Sequence, residues 1–450
     1  MNEVRFSELN ADLRIDSQYF QKVYQRDTDR INQIPTKKLA KFARVADGDH
    51  SKFPDNQNQE VRYLQAKDIR DYFLNDSDPE FVSREYFLSQ KRSHIFEENI
   101  LFSIMGTVGG VTITPKGFTP CMANRAVAII KDVRRMDPCY VFAFLITRHA
   151  ASLIERESSG GVQERINLDA LGRIRVPVFV DGFQSSVAQL VRLAHQKRAA
   201  SGALVDQTEQ LLLEGLGLSE WKPSETVGCV RPYSEVFDLS GRLDAEYFSP
   251  RYQSLLALFR RQGKALRDVA RLREDVFTPE AGKPFRYIEI GDLSSDGAAT
   301  SQGVAGEEAP SRATWIVQPG DIITSTVRPI RCLTGLVERE QAGHVCSSGF
   351  AVLTPKGIPS ELLFAYLRLP VMCELMDLHT TASMYPAIST GDLMRLPFLL
   401  PDEETIRKVK QQVTAARAAR REAHGLLERA KRAVEVAIEE NEAAGMAYLK

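Results

Sequence analysis

Apolar and polar positions along the chain change their period several times, and the changes come in the same order twice. RYLQAKDI (Arg62 to Ile69) and RYIEIGDL (Arg286 to Leu293) read as short strands, each ending in an acidic residue at a turn. ENILFSIMG (Glu98 to Gly106) answers GDIITSTVR (Gly320 to Arg328), an apolar strand opened by a polar turn in both cases. CMANRAVAII (Cys121 to Ile130) answers CSSGFAVLTP (Cys346 to Pro355), and YVFAFLIT (Tyr140 to Thr147) answers LLFAYLRL (Leu362 to Leu369), the latter two read as buried helices. GGVQERINLDALGRIRVPV (Gly160 to Val178) then answers SMYPAISTGDLMRLPFLLP (Ser383 to Pro401), a polar loop leading through a short helix or turn into a strand closed by proline. Ahead of both series stand LRIDSQYFQKVYQ (Leu13 to Gln25) and GRLDAEYFSPRYQ (Gly241 to Gln253), 228 residues apart, about half the chain.

Each series ends in a long helical pattern. The first places Val187, Leu190, Val191, Ala194, Leu204, Val205, Leu211 and Leu212 at spacings of three and four, with Gly215 and Gly217 as a stop. The second runs from about Glu403 and sets Ile406, Val409, Val413, Ala416, Ala423, Leu427, Ala430, Val434 and Ala437 on a stricter seven-residue repeat. At about 1.5 Å per residue, roughly 30 residues make a rod of about 45 Å, longer than most helices inside a domain. Both seams turn polar near their middles, at Lys197 and Ser201 and at Arg420. An antiparallel pairing would set those interruptions opposite one another and fix the register.

A chain of 450 residues exceeds the usual single domain, and 43% hydrophobic with 26% charged content is that of an ordinary globular protein. No apolar run reaches the length of a membrane span, and the opening MNEVRFSELNADLRID has neither an apolar signal core nor a cleavage site, so a cytoplasmic setting is expected. The six cysteines form no CxxC pair, which argues against a zinc knuckle or a disulfide framework.

Net charge of −1 is not that of an obvious nucleic-acid binder, but 10 Lys/Arg against 6 Asp/Glu between Leu101 and Val180 leave a local basic excess that permits one. Catalytic signatures are missing. There is no GxxxxGK[ST] phosphate loop, no Asn/Asp-Pro-Pro-aromatic motif for an extruded base and no HExxH, while His344 with Cys346 supplies only two ligands of a metal site. GTVGG lacks the lysine and strand-to-helix setting of a nucleotide loop and reads as a tight turn.

Globular segment, long helix, globular segment, long helix: in this arrangement the chain resembles the specificity (S, HsdS-type) subunit of Type I restriction-modification enzymes over essentially its whole length. The matching pieces are NILFSIMGTVGG (Asn99 to Gly110), VQERINLDALGRIRVPVF (Val162 to Phe179), GDIITSTVRP (Gly320 to Pro329), SSGFAVL (Ser347 to Leu353) and the two long helices. The resemblance implies an α+β chain with two pseudo-repeated target recognition domains, at 1–182 and 218–401. Spacer helices at 183–217 and 402–445 would form an antiparallel coiled coil between them. It implies a non-catalytic subunit that reads a bipartite DNA target and docks two methyltransferase (M) subunits and motor-nuclease (R) subunits. S-adenosylmethionine, ATP and Mg would be bound by those partners, and none by this chain.

Two heads on a rigid spacer require half-sites at a fixed separation, as in symmetric DNA-binding dimers. Here the heads differ: DYFLNDSDPEFVSREYFLSQKRSHIF (Asp71 to Phe96) has little in common with SSDGAATSQGVAGEEAPSRATWI (Ser294 to Ile316), so unlike half-sites are expected. By residue type and loop position the DNA-contact candidates of the first head are Lys91, Arg92, Ser93 with His94, Thr107, Arg125, Gln163, Arg165 and Asn167. Those of the second are Arg312, Arg328, Arg331, Thr381 with Thr380, Ser383 and Tyr385. A recognition protein serving another phage-defence or modification complex, and a non-DNA coiled-coil scaffold, are the alternatives that the residues leave open.

Overall fold

The computed structural model describes residues 19–51, 60–69, 72–75, 79–106, 108–158, 165–219, 221, 230, 232–234, 247–260, 264–294, 296–381 and 384–449. Residues 13–18 and 241–246 of the paired opening segments lie outside the described residues, as do Thr107, Gln163 and Ser383. The chain divides into two units, residues 1–199 with 419–450, and residues 200–418.

In the first unit ten short strands follow one another: β1 (Thr36–Lys38), β2 (Arg44–Asp47), β3 (Val61–Leu64), β4 (Glu80–Val82), β5 (His94–Ile95), β6 (Ile100–Ser103), β7 (Val111–Ile113), β8 (Cys121–Ala123), β9 (Val127–Lys131) and β10 (Arg175–Pro177). They make sheets in the orders β2-β9-β6-β7 and β4-β3-β8-β5, with β1 and β10 paired antiparallel. Strand β6 is buried at all four positions, and a Val/Ile/Leu/Phe run without alternation is the sequence form of a strand covered on both faces. Its turn to β7 uses Gly106 (φ +80°) and Gly109 (φ +98°), and at Gly110 a Cβ would stand 2.2 Å from the Ile69 carbonyl oxygen. The GTVGG turn thus uses glycine twice for a left-handed backbone and once for close approach.

The second unit contains β11 (Lys264–Ala265), β12 (Ala270–Leu272), β13 (Phe285–Ile288), β14 (Gln302–Val304), β15 (Ala313–Ile316), β16 (Ile322–Ser325), β17 (Thr334–Leu336), β18 (Val345–Ser347), β19 (Phe350–Pro355), β20 (Thr380–Thr381), β21 (Ala387–Ile388) and β22 (Pro397–Phe398). Its sheets run β12-β19-β16-β17 and β14-β13-β18-β15, with β11 paired to β22 and β20 to β21. The two four-stranded orders are those of the first unit, strand for strand. The parallel pairing of β3 with β8 recurs as that of β13 with β18.

Side-chain devices recur with the strands. After β3 the Asp68 carboxylate accepts the Gln65 amide at 2.7 Å, and after β13 Asp292 accepts the Glu289 amide at 2.8 Å, which explains the acidic residue at each turn. Buried Tyr140 donates to the Pro177 carbonyl and buried Tyr366, from a different position of the matching helix, to the Pro397 carbonyl, both at 3.0 Å. One alignment needs correction: β8 pairs Ala123 with Leu64, whereas β18 pairs Cys346 with Ile288, so Cys346 sits level with Ala123 and not with Cys121. A short apolar strand carries no register of its own, and the pairing partner decides it.

The long helices span Asp181–Gly215 and Glu403–Glu439. Within the first unit Phe183, Val187, Ala188, Val191 and Ala194 are buried with Ala423, Leu427, Ala430 and Val434, and Lys197 reaches Glu422 at 2.8 Å. Within the second, Leu212 is buried with Val409 and Val413, the Ser201 hydroxyl donates to the Ala416 carbonyl at 2.8 Å, and Thr208 lies 3.2 Å from Gln412. In the first unit the Val180 amide donates to Glu442 and Lys197 meets Glu422, and in the second Ser201 meets Ala416 and Gly215 faces Thr405, so within each unit the segments pack antiparallel. Ser201 and Thr208 occupy buried seam positions that Leu204 and Val205 were expected to fill, and those two are only half-buried. A hydroxyl that donates to a helix carbonyl satisfies itself there at little cost. Buried His149 lies 3.0 Å from both Asp27 and Glu439, tying the closing helix to the first unit.

Candidate nucleic-acid interface

In the first unit the turn Lys91–Ser93 enters β5 against the edge of β2. Lys91 is exposed, and the mostly exposed Arg92 guanidinium pairs with Asp47, whose other carboxylate oxygen lies 2.5 Å from His50 Nε2. Only the arginine of this pair reaches solvent; the Asp47 carboxylate is buried. Ser93 and His94 lie beneath that surface. The Ser93 hydroxyl donates to the Gln90 carbonyl at 2.8 Å, and the His94 ring stacks on Phe87 at 3.9 Å, so both shape the turn rather than face solvent. Beside them, burial pushes the Asp49 carboxyl up, but the hydrogen bonds from the Tyr86 hydroxyl and the Ser51 amide prevail and hold it below its ordinary value.

Arg125 is exposed in the turn from β8 to β9. Arg165 is exposed where its backbone bridges Met105, and Asn167 caps the following helix by accepting the Ala170 amide at 2.7 Å. Arg165 and Asn167 are thereby brought to the glycine turn after β6, while Lys91 and Arg92 belong to the edge of the other sheet.

The second unit gathers its candidates more tightly. Arg328 follows β16 in a left-handed conformation (φ 50°, ψ 60°), its amide donates to the Pro386 carbonyl at 2.8 Å, and its guanidinium lies 5.6 Å from the Tyr385 ring centroid. Tyr385 is 69% exposed and Met384 78%, while Arg328 itself is half-buried. Its Nη2 donates to the Met384 carbonyl at 3.4 Å, a long bond that a base or phosphate could replace. Arg331 and Thr381 are exposed nearby in sequence, and Thr380 donates to the Asp377 carbonyl at 2.7 Å. Arg312 is exposed on the separate β15 edge, where its carbonyl accepts the Ser348 amide at 2.7 Å.

Residue-type reasoning missed the exposed apolar neighbours Ile330 (51%) and Met384, because an isolated apolar residue in a loop looks like core. It also missed Asp47, which holds Arg92 and sits in an unremarkable strand. No sequence signal marks Arg328 as left-handed, a conformation ordinarily given to glycine or asparagine. Among the described residues no group of three or more His, Cys, Asp or Glu converges as a metal ligand set, and no helix is long and apolar enough to cross a membrane.

No protein-family model and no curated protein matches the chain. Solved structures do. One of them is a Type I restriction-modification system S subunit. The S subunit of M. genitalium matches at 13% identity and TM-score 0.36, over 93% of this chain and 96% of that one. The HsdS subunit from Thermoanaerobacter tengcongensis matches at 15% identity and TM-score 0.27, over 92% and 96%. A structure described for complex assembly and conformational transition of the type I R-M system matches at 14% identity and TM-score 0.30, over 91% and 99%.

Proposed function

We propose that this chain is the DNA sequence-recognition subunit of a Type I restriction-modification enzyme. Residues 1–182 and 218–401 act as two target recognition domains, and residues 183–217 and 402–445 as spacer helices in an antiparallel coiled coil. Each domain reads one half of an asymmetric bipartite target. The observation that carries this reading is the same strand order in both units with unlike side chains around the same turns: Arg165 and Asn167 beside a glycine turn in one, Arg328 over Tyr385 in the other. A repeated framework with divergent loops is what two readers of different sequences require.

In this account the chain is non-catalytic and cytoplasmic. Adenine methylation and restriction belong to two methyltransferase subunits docked on the coiled coil and to motor-nuclease subunits, which bind S-adenosylmethionine, ATP and Mg. The exposed candidates Lys91, Arg92, Arg125, Arg165, Asn167, Arg312, Arg331, Thr381 and Tyr385 and the half-buried Arg328 contact DNA, together with Thr107, Gln163 and Ser383. The test is selection of a methyltransferase complex on a duplex library with and without this chain. Sequence-specific binding is expected only when the chain is present, and equal specificity in its absence would sink the reading.

A further inference from the structure

The first unit carries a group of cations that no loop candidate includes. Lys37 and Lys38 on β1, Lys41 in the one-turn helix that follows, Arg44 on β2 and Arg175 on β10 are all exposed, and among the described residues none of them pairs with a carboxylate. They are neighbours. Lys38 lies opposite Arg175 in the β1–β10 ladder, and Lys38, Lys41, Arg44 and Arg173 line one groove whose only carboxylate is Asp169. Arg173 is held 2.9 Å from Glu157, which leaves the other cations to set the sign of the field.

The framework does not need all of these charges: Lys264 and Arg271 stand where the first unit has Lys37 and Arg44, but the other positions differ. In the second unit the same pieces are built with Ala265 opposite Pro397 where the first has Lys38 opposite Arg175, and with Asp268 in the turn where the first has Lys41. The equivalence is fixed by backbone bonds. Leu39 donates to the Ile174 carbonyl at 2.9 Å as Leu266 donates to the Leu396 carbonyl at 2.8 Å. Lys131, opposite Arg44, likewise has Thr354 opposite Arg271 as its counterpart.

The strip is also continuous with the candidate interface. Lys131 Nζ donates to the Arg92 carbonyl at 2.9 Å, and burial, then the positive charges of Arg44 and Arg92, lower its affinity for a proton. None of the large exposed apolar side chains among the described residues lies on β1, its following turn, β2 or β10, so the surface lacks the apolar centre of a protein–protein contact.

We propose that Lys38, Lys41, Arg44 and Arg175 form a second DNA contact on the first unit, gripping the phosphate backbone beside the Lys91–Arg92 turn. The proposal rests on the DNA-recognition reading and gives the first head a sequence-independent hold.

Counterion release tests it directly, because each phosphate contact adds about 0.9 to the slope of log affinity against log salt. The full chain is titrated with a labelled random-sequence duplex between about 50 and 200 mM salt. Lys38→Ala/Lys41→Ala/Arg175→Ala is expected to lower that slope by about 2 to 3. Lys38→Arg/Lys41→Arg should retain it, and removing three exposed lysines elsewhere (Lys356→Ala/Lys408→Ala/Lys410→Ala) should leave it within one. An unchanged slope in the first variant, or equal losses in the first and third, would overturn the proposal. So would an unchanged slope with loss of a co-purifying methyltransferase, which would make the strip a protein contact. Absence of duplex binding by the wild type at every salt concentration would instead remove the proposed function itself.

Discussion

His195 projects from the first long helix against Phe73, with ring centroids 5.2 Å apart, and the same phenylalanine meets His424 of the closing helix at 5.3 Å and the Arg198 guanidinium at 5.8 Å. Its Nε2 is buried without a hydrogen-bond partner, and burial lowers its pKa from 6.5 to about 4. Between those values the unfolded chain takes up a proton that the folded chain refuses. The stability His195 allows at neutral pH is therefore present above about 6.5 and lost as pH falls towards 4. His195→Phe should stabilise the protein relative to wild type by an amount that grows from near zero at pH 7.5 to about 2–3 kcal/mol near pH 4.5. Denaturant unfolding across that range checks it, and a difference independent of pH would show that the ring titrates normally.

The two buried tyrosines make a second comparison at the same scale. Tyr366 donates to Pro397 and also accepts the Leu399 amide at 3.2 Å, whereas Tyr140 has the Pro177 carbonyl as its hydrogen-bond partner. Tyr366→Phe leaves two backbone groups unsatisfied and should cost about 2 kcal/mol, against about 1 for Tyr140→Phe. Matched thermal unfolding curves measure the difference.

Among the elements, the apolar strands and long helices are legible in the sequence, because β6, β9 and the Ala423-to-Ala437 seam bury the residues their periods select. The finer placements are not. Ser201 looks like a break in the seam but is buried in it, since its hydroxyl reaches a carbonyl across the helix pair. Among the interface candidates, exposure of Arg92, Arg125 and Arg165 follows from residue type, but Ser93 falls beneath its turn because a 2.8 Å bond to Gln90 draws it inward. The register of β18 and the left-handed Arg328 depend on neighbours distant in sequence. One helical position is open to improvement: a Cβ at Gly425 meets nothing within 4 Å. Gly425→Ala should stabilise the closing helix by about 0.5–1 kcal/mol, read as a rise in unfolding midpoint.

At the scale of the whole molecule, the proposed function has two unlike heads and a spacer make separate demands on DNA. Inserting seven residues into each long helix, after Ala199 and after Ala418, is expected to change the preferred separation of the half-sites and leave their sequences alone. Footprints of the altered complex on a set of duplexes with graded spacing would read this out. If the half-sites changed instead, the division into heads and spacer would be wrong.

The most direct test of the central claim is selection from fully randomised duplexes by the wild-type chain assembled with its methyltransferase. The account predicts two different short half-sites separated by a fixed stretch of unselected bases. A single contiguous site, a palindrome, or no enriched sequence at all would contradict it.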